Sequence, residues 1–145
     1  MQARARVDHW ALLEWNGLLT RMAVALFAQK VGAFDITPVQ FAALMALRER
    51  RTLDQAALSA LIGYDRATMG GVIDRLEAKR WVVREAGQKD RRTKLVSLTA
   101  AGAALLRRVA REVDAVQAAL MAPLAPTERR AFERLCRKLL DAHLG

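Results

Sequence analysis

The sixteen residues from Lys79 to Lys94, KRWVVREAGQKDRRTK, hold seven of the chain's 24 basic residues and two acids, a local charge of +5. Clustered guanidinium and ammonium groups displace counterions from phosphates and donate several charge-assisted hydrogen bonds at once. Two short apolar-bearing runs, Trp81 to Val83 and Leu95 to Leu98, flank the turn-prone Gly87-Gln88-Lys89-Asp90. The charge therefore falls at the tip of a two-stranded ribbon. Such a tip suits the groove of an anionic duplex, although a solvated edge hairpin kept soluble by its charge has the same composition.

Catalytic chemistry finds no comparable support. The sequence has no phosphate-cradling glycine loop, no serine or cysteine paired with a suitable histidine, and no carboxylate pair that helical spacing singles out. With two histidines and one cysteine, Cys136, neither a metal-ligand cluster nor an internal disulfide is expected. The chain reads as a binding protein without a cofactor, not as an enzyme.

The elements that must carry the basic tip are mostly helical. Apolar residues make up 53% of the 145 positions but aromatics only 6%, so alanine and leucine dominate, which favours helix. A formal charge of +9 points to a polyanionic partner, nucleic acid or an anionic membrane surface. The longest uncharged run, Ala115 to Thr127, contains Pro123 and Pro126 and is too short for a bilayer span. The start, MQARARVDHW, lacks the apolar core of a secretory signal, so a cytoplasmic location is expected, with no membrane partner.

Val7 to Lys30 reads as a first helix closed by Gly32. Thr37-Pro38-Val39-Gln40 has the form of a capping box opening a second helix to about Arg50. A short third helix fits Asp54 to Leu61, capped by Thr52 or Asp54 and stopped by Gly63. Asp65 caps a fourth, Arg66 to Arg80, in which Met69, Val72, Ile73 and Leu76 form the core stripe. Its opposite face carries Ala67, Gly71, Asp74 and Ala78, flanked by Thr68, Gly70 and Arg75. Two adjacent glycines inside a helix cost about 2 kcal/mol relative to alanine, so a close approach by another surface is expected to offset them. After the hairpin, Thr99 caps a long helix to about Leu120, and a last helix starts at Thr127.

Two short helices joined by a tight turn and followed by a basic hairpin describe a winged helix-turn-helix, whose second helix enters the major groove. DRRTKLVSLTAAG, Asp90 to Gly102, resembles the wing signature of the MarR family of bacterial regulators, the multiple antibiotic resistance regulators. YDRATMGGVIDRLEAKRWVVRE, Tyr64 to Glu85, is similar to that family's recognition helix, including Asp74-Arg75-Leu76-Glu77. The resemblance covers about residues 10 to 142 and departs at Arg80, where the family usually has glycine.

The resemblance implies one MarR-type domain over residues 1–145, mainly α with a small β-hairpin wing. The DNA-binding lobe is expected at 35–100 and a helical dimerisation region at 7–32 and 100–144. Arg66, Ala67, Thr68, Gly70, Gly71 and Arg75 are then candidates at the major groove, and Lys89, Arg91 and Lys94 at phosphates. Arg92 is the candidate for the minor groove, with Asp90 pinning its guanidinium or else merely shaping the turn. Family members are dimers, which makes Leu105, Leu106, Val109, Val113, Val116 and Leu120, and Phe132, Leu135, Leu139 and Leu140, candidate interface or core residues.

The implied function is a sequence-specific regulator of a pseudo-palindromic operator, a homodimeric repressor released by a small aromatic or phenolic effector. His9, Trp10, Trp15, Asn16 and Arg21 gather groups able to stack on a ring and hold a carboxylate. Two alternatives stay open: a non-specific architectural DNA-binding protein, and a redox-responsive regulator using Cys136, which lies among Arg134, Arg137 and Lys138.

Overall fold

The computed structural model describes residues 11–145. Helix α1 (Ala11–Val31) leads through a short 3-10 turn (Gly32–Phe34) to α2 (Pro38–Arg50), followed by β1 (Thr52–Asp54), α3 (Gln55–Ile62) and α4 (Arg66–Ala78). Strands β2 (Val82–Ala86) and β3 (Lys94–Leu98) form the wing, and α5 (Ala100–Met121) and α6 (Pro126–Leu144) complete the chain. No single helix among the described residues is long and apolar enough to cross a membrane.

The helix starts follow the polar residues that precede them. Thr37 and Gln40 form a reciprocal capping box on α2 (3.2 and 3.3 Å). Asp54 caps α3 through the Ala57 amide (2.7 Å), and Thr99 caps α5 through that of Gly102 (3.0 Å). The fully buried centre gathers Leu44 and Leu47 of α2, Leu58 of α3, Met69, Ile73 and Leu76 of α4, Val96 of β3 and Val109 of α5.

Three sequence expectations change here. Thr52 is no helix cap: with Leu53 and Asp54 it forms a strand on β3, so the expected two-stranded ribbon is an antiparallel sheet of order β1-β3-β2. Helix α4 stops at Ala78 rather than Arg80, because Arg80 takes a left-handed backbone (φ 60) and its amide bonds back to the Glu77 carbonyl (2.9 Å). On α5, Leu105, Leu106, Val109, Val113 and Val116 are buried within the chain itself, so these dimer candidates are intrachain core. Their stripe is covered largely by α1, which buries Phe27 and Val31 in the same cluster.

The early glycine of α5 has a packing reason. A Cβ on Gly102 would lie 2.2 Å from the Trp81 carbonyl, which also accepts the Thr99 amide (3.0 Å). The base of the wing thus rests on the first turn of α5. At the neighbouring corner, the Lys79 ammonium donates to the Asp35 carbonyl and to Gln40 Oε1 (3.3 Å), lies 3.4 Å from the Asp35 carboxylate, and stands 4.8 Å over the Trp81 ring. One cation therefore ties the α1–α2 passage to the end of α4 and the root of the wing.

Candidate nucleic-acid interface

Helix α4 presents an outer face of small and polar residues because its large apolar residues are all turned inward. Met69, Val72, Ile73 and Leu76 are buried, whereas Arg66, Ala67, Thr68, Asp74 and Arg75 are exposed. The start of the helix is fixed by Asp65, whose carboxylate accepts from the Thr68 hydroxyl (2.6 Å) and the Thr68 amide (2.8 Å). Those two bonds, the hydroxyl's first, hold the Asp65 carboxyl below the usual aspartate range, so the cap stays charged at neutral pH. The Thr68 hydroxyl proton is committed to this cap, leaving its oxygen free only to accept.

The two glycines of α4 differ. A Cβ on Gly71 would meet nothing within 4 Å, whereas one on Gly70 would lie 3.1 Å from the Gln55 amide nitrogen. Gly71 therefore leaves an open stretch of backbone on the outer side, and Gly70 faces a neighbouring helix.

The wing tip is a loop from Gly87 to Thr93, longer than the four-residue turn expected, closed by Gly87 N–H to Thr93 O (2.8 Å) and Thr93 N–H to Asp90 O (3.2 Å). Asp90 works on the main chain: Oδ1 accepts the Arg92 amide (2.9 Å) and Oδ2 the Thr93 hydroxyl (3.5 Å). Of the two expectations for Asp90, pinning the Arg92 guanidinium or shaping the turn, the structure has the second, an aspartate side-chain turn. Lys89, Arg91, Arg92 and Lys94 are all exposed.

Arg66, Arg92 and Lys94 come together around one cleft of about 390 Å³, with Asp54, Gln55, Ala56 and Thr93 completing its walls. Lys89, Arg91 and Arg75 lie outside that lining. Two residues that the sequence reading did not single out organise this surface. Gln55 sits between α3 and α4, and Arg84 of β2 pairs with Asp74 (2.7 Å) and Glu77 (3.2 Å) of α4. The signal for Arg84 was its inward-alternating place in a strand beside an Asp-Arg-Leu-Glu helix end; Gln55 had none beyond following the Asp54 cap.

The effector expectation on helix one fares differently. His9 and Trp10 lie outside the described residues. Trp15, Asn16 and Arg21 are exposed on α1 and line none of the clefts described here. A small cavity of about 160 Å³ lies instead between α2 and α5, walled by Phe41, Met45 and Arg48 on one side and Leu106, Val113, Asp114 and Gln117 on the other. Cys136 is half-buried in a separate cleft between α5 and α6, beside Phe132, Leu140 and Arg137.

A recognition helix on a short supporting helix, flanked by a cationic β-wing, defines a winged helix-turn-helix DNA-binding domain. The sequence model of the MarR family matches residues 34–93. The HTH-type transcriptional repressor NicR of Pseudomonas putida is 35% identical over 118 residues, 81% of this chain and 75% of that protein. Among solved structures, Bordetella bronchiseptica BpsR, described with regulation of its DNA binding by 6-hydroxynicotinic acid, superposes with a TM-score of 0.83 at 30% identity, over 97% of each chain. A mutant MarR of Escherichia coli complexed with operator DNA gives 0.83 at 25% identity, over 97% of this chain and 99% of that one. The chain belongs to the MarR family of transcriptional regulators.

Proposed function

We propose that the chain is a homodimeric, cytoplasmic repressor that binds a pseudo-palindromic operator and is released by a small aromatic acid. The observation that carries the DNA reading is the outer face of α4: open space beside the half-buried Gly71, the small side chain of Ala67, and Arg66 converging with Arg92 and Lys94 at one cleft. A face of that shape admits base edges while the cations hold the phosphate strands on either side. In this reading α4 of each protomer enters the major groove and Arg92 the adjoining minor groove, where a narrow A·T-rich stretch concentrates negative potential.

Dimerisation is supported by α6, which buries none of its residues within the chain and exposes Phe132, Leu135, Leu139 and Leu140. Effector release is supported by the α2–α5 cavity, where Phe41 and Met45 offer an apolar wall for a ring and Arg48 a partner for a carboxylate. NicR is named a repressor and BpsR responds to 6-hydroxynicotinic acid, which makes hydroxylated aromatic acids the first effectors to test.

Footprinting on DNA fragments carrying the chain's own promoter region tests the reading. A dyad-symmetric footprint with half-sites about 10 bp apart is expected, weakened by millimolar 6-hydroxynicotinic acid or a related aromatic acid. Uniform coating without a boundary would instead favour an architectural DNA-binding protein.

A further inference from the structure

Gln55, the first residue of α3, reaches across to the first turn of α4. Its Nε2 donates to the Arg66 carbonyl at 2.8 Å, and its main-chain carbonyl accepts the hydroxyl of the buried Ser59 (2.7 Å). The Arg66 carbonyl also faces the Gly70 amide one turn on, so the glutamine occupies its second lone pair. A Cβ on Gly70 would stand 3.1 Å from the same Nε2, tighter than most packing contacts, so the amide would have to give by a few tenths of an ångström and strain its bond to Arg66. The helix-weakening glycine at position 70 is thus the seat of a side chain from the neighbouring helix, while Gly71 faces open space.

We propose that Gln55 is a positioning residue for operator recognition, setting the rotation of α4 about its own axis, and that Gly70 exists to admit it. The inference rests on the reading that α4 enters the major groove. Packing of Met69, Val72, Ile73 and Leu76 holds α4 against the core, but that stripe begins only at Met69, so the exposed first turn that carries Arg66 lies ahead of it and depends on other restraints. A hydrogen bond from α3 to a fixed carbonyl is directional. A rotation of about 20° moves a side-chain tip at the helix surface by about 2 Å, enough to break a bidentate contact from Arg66.

The test compares Gln55→Met, Gln55→Ala, Gly70→Ala and the Gln55→Ala/Gly70→Ala pair by thermal melting and by fluorescence anisotropy on operator and random duplexes at two salt concentrations. Gln55→Met keeps the volume and removes the donor. It is expected to lower the operator-to-random affinity ratio by about tenfold, the cost of roughly one mismatched base pair, with random-duplex affinity and salt slope unchanged. Gly70→Ala is expected to lower the melting temperature when Gln55 is present and to raise it in the Gln55→Ala background, where the crowding is gone. An unchanged affinity ratio in Gln55→Met, or a Gly70→Ala effect that is the same in both backgrounds, would overturn the proposal. A wild-type protein with no duplex preference would overturn the operator reading and with it the role of Gln55 there, even if the melting cycle showed the two residues coupled.

Discussion

Arg84 Nη1 lies 2.7 Å from Asp74 Oδ1, an ion pair that crosses from the second strand of the sheet to the outer side of α4. The Arg84 side chain is 22% exposed and that of Asp74 68%, so the pair contributes at most about 1 kcal/mol to stability. Its larger effect is on the field at the interface, since without the guanidinium Asp74 and Glu77 would lie uncompensated on α4. Arg84→Ala is expected to weaken binding to every duplex with little change in melting temperature. Asp74→Asn is expected to strengthen non-specific binding. Anisotropy titrations on random DNA at low and moderate salt check both, and no change in either variant would show that these carboxylates face away from the duplex.

Replacing Gly71 by alanine adds a methyl group to open space, so it should stabilise the fold by up to about 1 kcal/mol, read as a higher denaturant midpoint. If the α4 backbone approaches base edges at this point, operator affinity falls while random-duplex affinity is kept. A stabilised protein with full operator affinity would place the close approach elsewhere on the helix.

The bonds made by Asp90 give its variants an order. Asp90→Asn keeps an acceptor for the Arg92 amide and should leave operator selectivity near that of the wild type, whereas Asp90→Ala frees the tip and should reduce it. Arg92→Ala should cost on the order of 1 to 3 kcal/mol per half-site and relax preference at an A·T-rich flank. Lys89→Ala should weaken all duplexes alike and flatten the salt dependence. Equal damage from Asp90→Asn and Asp90→Ala would mean that the carboxylate charge, not its turn, is what the wing needs.

Leu139 is 62% exposed in the single chain and sits on the stripe of α6 with Leu135 and Phe132. Light scattering of the wild type should give about twice the 16.1 kDa chain mass. Leu139→Glu, which places a charge in the centre of that stripe, should shift the population to monomer and abolish cooperative operator binding. A variant that stays dimeric would locate the interface on α1 alone.

Local chemistry made much of this fold legible. The capping box at Thr37 and Gln40 and the caps at Asp54, Asp65 and Thr99 are determined within one turn of helix, the stripe from Met69 to Leu76 within about two, and the structure has each in place. What escaped depends on partners distant in sequence. A three-residue strand such as β1 has no periodicity to detect, and exists only because β3 lies beside it. The α5 stripe could be read as apolar, but which surface covers it is decided by α1. Helical spacing put Gly71 opposite the core and Gly70 at its flank, but what Gly70 faces became visible only with the placement of Gln55. Arg80 was expected to lie at the end of α4, and its left-handed backbone emerged only with the structure, although the glycine usual in the family at this position was a signal for it.

Lys79 gives the domain a pivot. Because one ammonium meets Asp35, Gln40 and Trp81 together, a tilt passed down α1 is expected to reach the end of α4 and the root of the wing at the same joint rather than being absorbed as slack between them. The lobe is then expected to swing as a lever, with a short arm at Asp35 and a long one ending at Arg92, magnifying small displacements of α1. In Lys79→Met, whose thioether cannot hold the corner, hydrogen exchange should rise together at the Asp35 and Trp81 amides, and independent changes at the two would show that the arms are not coupled.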